Sequence, residues 1–158
     1  MDELIFHKAG LFTSVQDGGR FGFEAFGIPV SGSMDKRSAA LSNLLVGNKA
    51  NEAVFEITLL GPTIEFNCSV QFCISGAELS PRLNNSFIEN NKVYHAYEKD
   101  VLSFGQALKG CRAYLAIGGY ISVTEIMSSK STYTYGKIGG FKGRVLEKGD
   151  VIPIKPII

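Results

Sequence analysis

The sequence predicts a mainly β domain, a β-barrel of many short strands with one principal helix. Three observations carry that expectation. Eighteen glycines are spread through 158 residues, short apolar runs alternate with turn residues along most of the chain, and a single segment carries both helix-start and helix-stop signals. The length fits one domain with its own core, so residues 1–158 are read as a single unit.

The helix is expected near residues 34–46. Ser33 can cap it, Asp35 sits in its first turn where it suits the helix dipole, Leu41, Leu44 and Leu45 make an apolar stripe, and Gly47 supplies the stop. From Val54 to Leu60, Phe55, Ile57 and Leu59 share one strand face and Glu56 and Thr58 the other, until Gly61-Pro62 breaks the run. The strongest alternation spans Thr63 to Ser75. It places Ile64, Phe66, Cys68, Val70, Phe72 and Ile74 on one buried face and implies one bend, because the run is long for a strand. These two segments are expected to be neighbours. Asn84-Asn85 and Asn90-Asn91 flank the short run 86–89 as hairpin turns, since Asn tolerates positive φ. Further strands are expected at Val93–Tyr97, Val101–Phe104, Arg112–Ile117 and Val151–Ile154.

Composition excludes several classes of function. Sixteen Lys and Arg against fifteen Asp and Glu leave the chain nearly neutral, and the basic residues are scattered, so neither nucleic acid nor a membrane is expected as a partner. The start, Met1-Asp2-Glu3-Leu4-Ile5-Phe6, lacks the basic and long apolar regions of a signal peptide. No apolar stretch approaches membrane-spanning length. Three cysteines, at 68, 73 and 111, form no CxxC pair and leave one over in any disulfide scheme, which suits a reducing, cytoplasmic location.

Motifs for self-sufficient chemistry are missing. The run 105–110 has phosphate-loop glycine spacing, but Cys111-Arg112 follows where Lys and Ser or Thr are required. His7 and His95 are distant in sequence, and Cys68 and Cys73 would face opposite sides of a strand, so no metal site is expected. There is no Gly-x-Ser-x-Gly elbow and no Met-Lys-Met of the kind that accepts biotin. Two groups stand out: Gln16-Asp17-Gly18-Gly19-Arg20 and Ser31-Gly32-Ser33-Met34-Asp35. Asp-Gly-Gly reads as an ordinary hairpin turn, and a serine cap before an acidic first turn needs no function. Together, however, they gather an arginine and two carboxylates, and paired groups of this kind concentrate at sites.

The run from Thr13 to Gly22, then Gly27-Ile28-Pro29-Val30-Ser31-Gly32-Ser33-Met34-Asp35, then Ala40 to Asn48, resembles the biotin-dependent carboxyltransferase family. That family includes the C subunit of 5-oxoprolinase, allophanate hydrolase subunit 2, the matching segment of urea carboxylase and the antagonist of a sporulation-kinase inhibitor. The likeness continues through 56–63, 75–77, 112–119 and 149–153, in order along the whole chain. It implies a cyclophilin-like β-barrel and the amino-terminal half of a two-domain subunit, with a carboxy-terminal half of similar size still to be supplied. One departure stands at Lys130, where the family stretch more often has Arg, which weakens a bidentate anion clamp there.

The resemblance further implies a component of an ATP-dependent complex that processes a small amide, foremost 5-oxoproline ring opening to glutamate with partners like the A and B subunits of 5-oxoprolinase. Two alternatives stay open: a carboxyltransferase or allophanate hydrolase-like subunit acting on urea-type amides, and a non-catalytic regulator that binds a kinase-inhibitor-like protein. This chain itself is expected to bind no cofactor, with ATP or carboxybiotin supplied by partner subunits. Amide chemistry needs a carboxylate for the N–H proton and a cation or N–H donor for charge developing on oxygen. Asp17 or Asp35 fits the first role and Arg20 the second. Gln16 could read the amide edge, the Ser31-Gly32 backbone could hold a carboxylate, and Glu56 could support Arg20.

Overall fold

Turn residues divide the chain into short strands, and a computed structural model describes residues 1–157 of it. The strands are β1 (Glu3–Lys8), β2 (Phe12–Gln16), β3 (Val54–Thr58), β4 (Thr63–Phe66), β5 (Val70–Glu78), β6 (Arg82–Leu83), β7 (Ser86–Phe87), β8 (Val93–Ala96), β9 (Val101–Ser103), β10 (Lys109–Ile117), β11 (Gly119–Ile121) and β12 (Val151–Pro156). One α-helix, α1 (Lys36–Leu45), and a 3-10 turn at Glu24–Phe26 lie between β2 and β3. The class is the expected one, mainly β with one principal helix.

Closure into a barrel is not what forms. The strands make two open antiparallel sheets, one of seven in the order β11-β12-β1-β4-β9-β6-β7 and one of five in the order β2-β3-β10-β5-β8. The Thr63–Ser75 alternation explains the difference. Its bend at Asn67–Ser69 carries the chain from the seven-stranded sheet (β4) to the five-stranded one (β5), so one period-2 pattern serves two sheets. Ile64, Phe66, Val70, Phe72 and Ile74 join the same core from both sides of that corner, with Leu4, Phe6, Phe55, Ile57, Leu115 and Ile152. The expected pairing of Val54–Leu60 with Thr63–Ser75 does not occur either: β3 lies between β2 and β10, while β4 lies between β1 and β9. The break at Leu59-Leu60-Gly61, with Leu59 at φ 62°, redirects the chain. The Asn84-Asn85 hairpin forms as expected, both residues taking positive φ (49° and 68°) to join β6 and β7.

Helix α1 begins at Asp35, not Ser33: the Asp35 carboxylate accepts the Ser38 N–H at 3.1 Å and the Ser38 hydroxyl at 2.5 Å. It ends in a Schellman motif, with Asn48 N–H on the Asn43 carbonyl and Gly47 N–H on that of Leu44. Gly47 is at φ 82°, so the expected stop holds. The face is reversed relative to expectation. Ala39, Ser42 and Asn43 are buried, whereas Leu41, Leu44 and Leu45 are exposed. Small side chains let the helix sit close on β5 and β10, where Ala39 and Val46 meet Cys73, Tyr114 and Ala116. The buried Asn43 amide is satisfied by the Glu52 carbonyl at 2.8 Å, which ties down the loop after the helix. The five-stranded sheet is thus covered on both faces.

Residues 122–150 contain no strand or α-helix and run along the outer side of β2, with Thr132 N–H on Val15 O and Leu146 N–H on Thr13 O. The end of this segment is pinned by a bidentate pair, in which Arg144 donates to both Asp150 oxygens at 2.7 and 2.9 Å. The Arg144 hydrogen bonds hold the Asp150 carboxyl below its ordinary value of 3.8. Because the folded-state value is depressed, the pair stabilises the fold above the unfolded carboxyl range, and that contribution is lost as pH falls below about 4. Asp150→Asn is therefore expected to flatten the acid limb of the stability profile, measured as melting temperature between pH 3 and pH 6; an unchanged acid limb would contradict it.

Candidate functional site

The site is built where β10 leaves its ladder. Lys109 pairs with Glu78 and Ala113 with Gly76, so β10 advances four residues while β5 advances two. This bulge pushes Gly110, Cys111 and Arg112 outward, a device that re-aims side chains. Glycine is required opposite it: Gly76 is at φ 88°, and a Cβ there would lie 2.6 Å from the Arg112 carbonyl oxygen. The bulge forms one wall of a cleft of about 860 Å³ whose lining includes Asp35, Ser38, Asn90, Lys109, Cys111 and Arg112. Arg112 also borders an adjacent hollow of about 380 Å³ with Leu11, Phe12, Glu56 and Thr58.

Two buried groups fix the start of α1 at the cleft rim. Tyr114, fully buried on β10, accepts the Asp35 N–H at 2.8 Å and donates to Glu56 Oε2 at 2.9 Å. The same Glu56 oxygen accepts the Met34 N–H at 2.8 Å. Burial pushes the Tyr114 hydroxyl far above its ordinary range, so it stays protonated and can keep donating. Glu56 thus does not support Arg20; it faces Arg112, whose Nε stands 3.9 Å from Oε1. The Ser38 hydroxyl and N–H hold the Asp35 carboxyl below 3.8. At neutral pH it is an ionised acceptor, exposed at the rim.

Gln16, Asp17, Arg20 and Gly32 come together elsewhere, in a latch beneath the surface. Asp17 Oδ1 accepts Gly19 N–H at 2.9 Å and the hydroxyls of Ser129 and Ser131 at 2.7 and 2.6 Å, and Oδ2 accepts Lys130 N–H at 2.7 Å. Arg20 is 0% exposed and donates to the carbonyls of Ile126, Ser129 and Ser131 at 2.8, 3.2 and 3.0 Å. Gln16 accepts Gly32 N–H and donates to Thr132 O, and Gly32 packs on Gly19 so closely that a Cβ would lie 2.9 Å from its Cα. Ser31 adopts φ 56° at the turn leading into this contact. The Gly32 N–H is therefore engaged, and Arg20 shares no cleft with Asp35. The guanidinium is held through Nε and Nη2 by main-chain carbonyls of residues 126–131, partners that no side-chain pattern announces, while Nη1 is buried without a partner. Lys130 is likewise engaged, with Glu52 at 2.9 Å and over the Tyr120 ring.

Sequence reasoning missed Lys109, Arg112 and Tyr114 as cleft or rim residues. The available signal was glycine inside strand patterns, at Gly76 and Gly110, which marks a bulge. Among the described residues no group of three His, Cys, Asp or Glu side chains could hold a metal. No helix among them is long and apolar enough to cross a membrane.

With this architecture in place, comparison with known proteins is decisive for the family. The family model for the carboxyltransferase domain, subdomain A and B, matches residues 26–157. The chain belongs to this carboxyltransferase family. The urea amidolyase of Lachancea kluyveri is 44% identical over 144 residues, covering 90% of this chain and 8% of that protein. The 5-oxoprolinase C subunit of Escherichia coli is 40% identical over 147 residues, covering 93% of this chain and 47% of that protein. The solved urea amidolyase of K. lactis superposes with a TM-score of 0.94 at 40% identity, over 96% of this chain and 9% of the other. This carboxyltransferase-family chain thus spans less than half the length of each of these relatives.

Proposed function

We propose that the chain is a component of an ATP-dependent amide-processing complex, akin to the C subunit of 5-oxoprolinase, contributing the Asp35 side of a site for 5-oxoproline ring opening. The observation that carries this reading is Asp35 itself, an ionised carboxylate whose backbone is clamped by Tyr114 and Glu56 at the rim of a large cleft. Its lowered pKa makes it a hydrogen-bond acceptor for an amide N–H more than a strong general base, and a fixed acceptor orients the lactam nitrogen while water adds at the carbonyl. Kinship with the 5-oxoprolinase C subunit along nearly the whole chain supports the same reading. ATP acts on partners resembling the A and B subunits, and the remaining half of the carboxyltransferase domain closes the site against water, as preorganised stabilisation requires.

Reconstitution tests this. The chain alone is expected to turn over neither 5-oxoproline nor urea, with or without ATP, whereas the complex with its second half and partner subunits converts 5-oxoproline to glutamate. Hydrolysis by the chain alone, or a complex that acts on urea and ignores 5-oxoproline, would overturn the reading.

A further inference from the structure

We propose that Arg112 is the carboxylate-recognising residue of the cleft; this rests on the function proposed above and assigns the side chain that reads the carboxylate of 5-oxoproline. The arginines differ in what they touch. Arg20 is consumed by three carbonyls and Arg144 by Asp150, Arg37 stands exposed on α1, and Arg82 lies over the Phe87 ring, its guanidinium carbon 4.0 Å from the ring centre. Arg112 lines the cleft with its charge unspent. Among the described residues its guanidinium has no acceptor within hydrogen-bond distance, and the nearest carboxylate oxygen, Glu56 Oε1, stands off at 3.9 Å from Nε.

Glu56 cannot close that gap cheaply, because its other oxygen is committed to Tyr114 and Met34. The guanidinium thus stands beside Glu56 without bonding to it, and its donors, among them the terminal edge of the planar fork that matches a carboxylate in two parallel hydrogen bonds, are left to a ligand. Its side chain is 35% exposed, accessible yet partly desolvated, where a charge-assisted pair is stronger than in open water. The backbone is built to hold it there: the bulge that carries it depends on Gly76 and Gly110 at positive φ. Lys109 lines the same cleft and adds positive charge, offset in part by Glu78 opposite it in the ladder.

Asp35 lines the same cleft and offers an acceptor. A molecule with an amide N–H at one end and a carboxylate at the other complements the pair.

The test compares 5-oxoproline with 2-pyrrolidinone, the same lactam ring without the carboxylate, in the reconstituted complex. Arg112→Met is expected to lower kcat/KM for 5-oxoproline by about 100-fold, mostly through KM, while leaving that for 2-pyrrolidinone within about threefold. Arg112→Lys is expected to recover only part of the loss, because a point charge replaces the fork. Equal losses on both substrates, or no loss on 5-oxoproline, would overturn the proposal while leaving the proposed function standing. If the wild-type complex proves inactive on 5-oxoproline, the proposed function fails, and Arg112 is judged separately by titrating 5-oxoproline into the purified chain and following the arginine Nε–Hε signals by NMR. A signal that moves in the wild type and is missing from Arg112→Met supports the assignment; no movement in the wild type overturns it.

Discussion

Replacing Arg20 by alanine is expected to lower the melting temperature of the chain by roughly 10 °C. The guanidinium is 0% exposed and donates to the carbonyls of Ile126, Ser129 and Ser131, so its removal leaves a void, strips the Ser131 carbonyl of its partner and leaves those of Ile126 and Ser129 with one main-chain N–H each. A buried acceptor left unsatisfied costs about 1–3 kcal/mol, the void adds to that, and in a domain of this size each kcal/mol moves the midpoint by about 2–4 °C. Arg20→Lys should rescue poorly, because one ammonium cannot reach carbonyls arranged for a planar fork. Differential scanning calorimetry of the three proteins decides it: an alanine variant that melts with the wild type would strip Arg20 of its structural role. In the reconstituted complex the same variant is expected to lose turnover through loosening of residues 126–131.

Asp35→Asn is expected to do the opposite, sparing the fold and damaging the chemistry. Asparagine caps helices as well as aspartate does, so the Ser38 N–H keeps its acceptor and stability should stay within about 0.5 kcal/mol of wild type. The carboxylate charge is lost, and with it the acceptor proposed to orient the lactam N–H. A fall in kcat of about 100-fold in the complex is expected, the size of loss that misplacing a reacting group carries. Steady-state kinetics beside a melting curve reads both quantities. Full activity of Asp35→Asn would discard Asp35 as a functional group, and equal loss of stability and activity would make it a cap and nothing more.

Much of the architecture was legible in the sequence because strand alternation, asparagine turns and a glycine stop are local signals. The Asn84-Asn85 hairpin, the Gly47 stop and the strands β8, β9, β10 and β12 follow from residues within a few positions of each other, whereas β11 carries no such signal. What failed to be legible depends on partners distant in the chain. Leu41, Leu44 and Leu45 made a plausible buried stripe, yet close approach to β5 and β10 selected Ala39, Ser42 and Asn43. Arg20 looked like a site residue because a side chain cannot declare that its acceptors will be carbonyls more than a hundred residues away. Asp35 and Glu56 are candidates from the sequence alone, but the tyrosine that joins them sits in a run, Ala113 to Ile117, that reads as plain core. Arg112 is silent for a similar reason: Gly76 and Gly110 hint at a bulge, but only the register of β10 on β5 shows which side chains it carries outward.

The segment that runs along β2 has a bearing on how the protein behaves in solution. β2 ends the five-stranded sheet, and the carbonyls of Thr13 and Val15 are occupied by the N–H groups of Leu146 and Thr132. Stripped of that cover, the strand would present a row of unpaired main-chain groups beside apolar Val15, a template for pairing with another chain. Asp17 and Arg20, which hold residues 126–131 in place, therefore also guard against self-association: when they loosen, aggregates should form before the core unfolds.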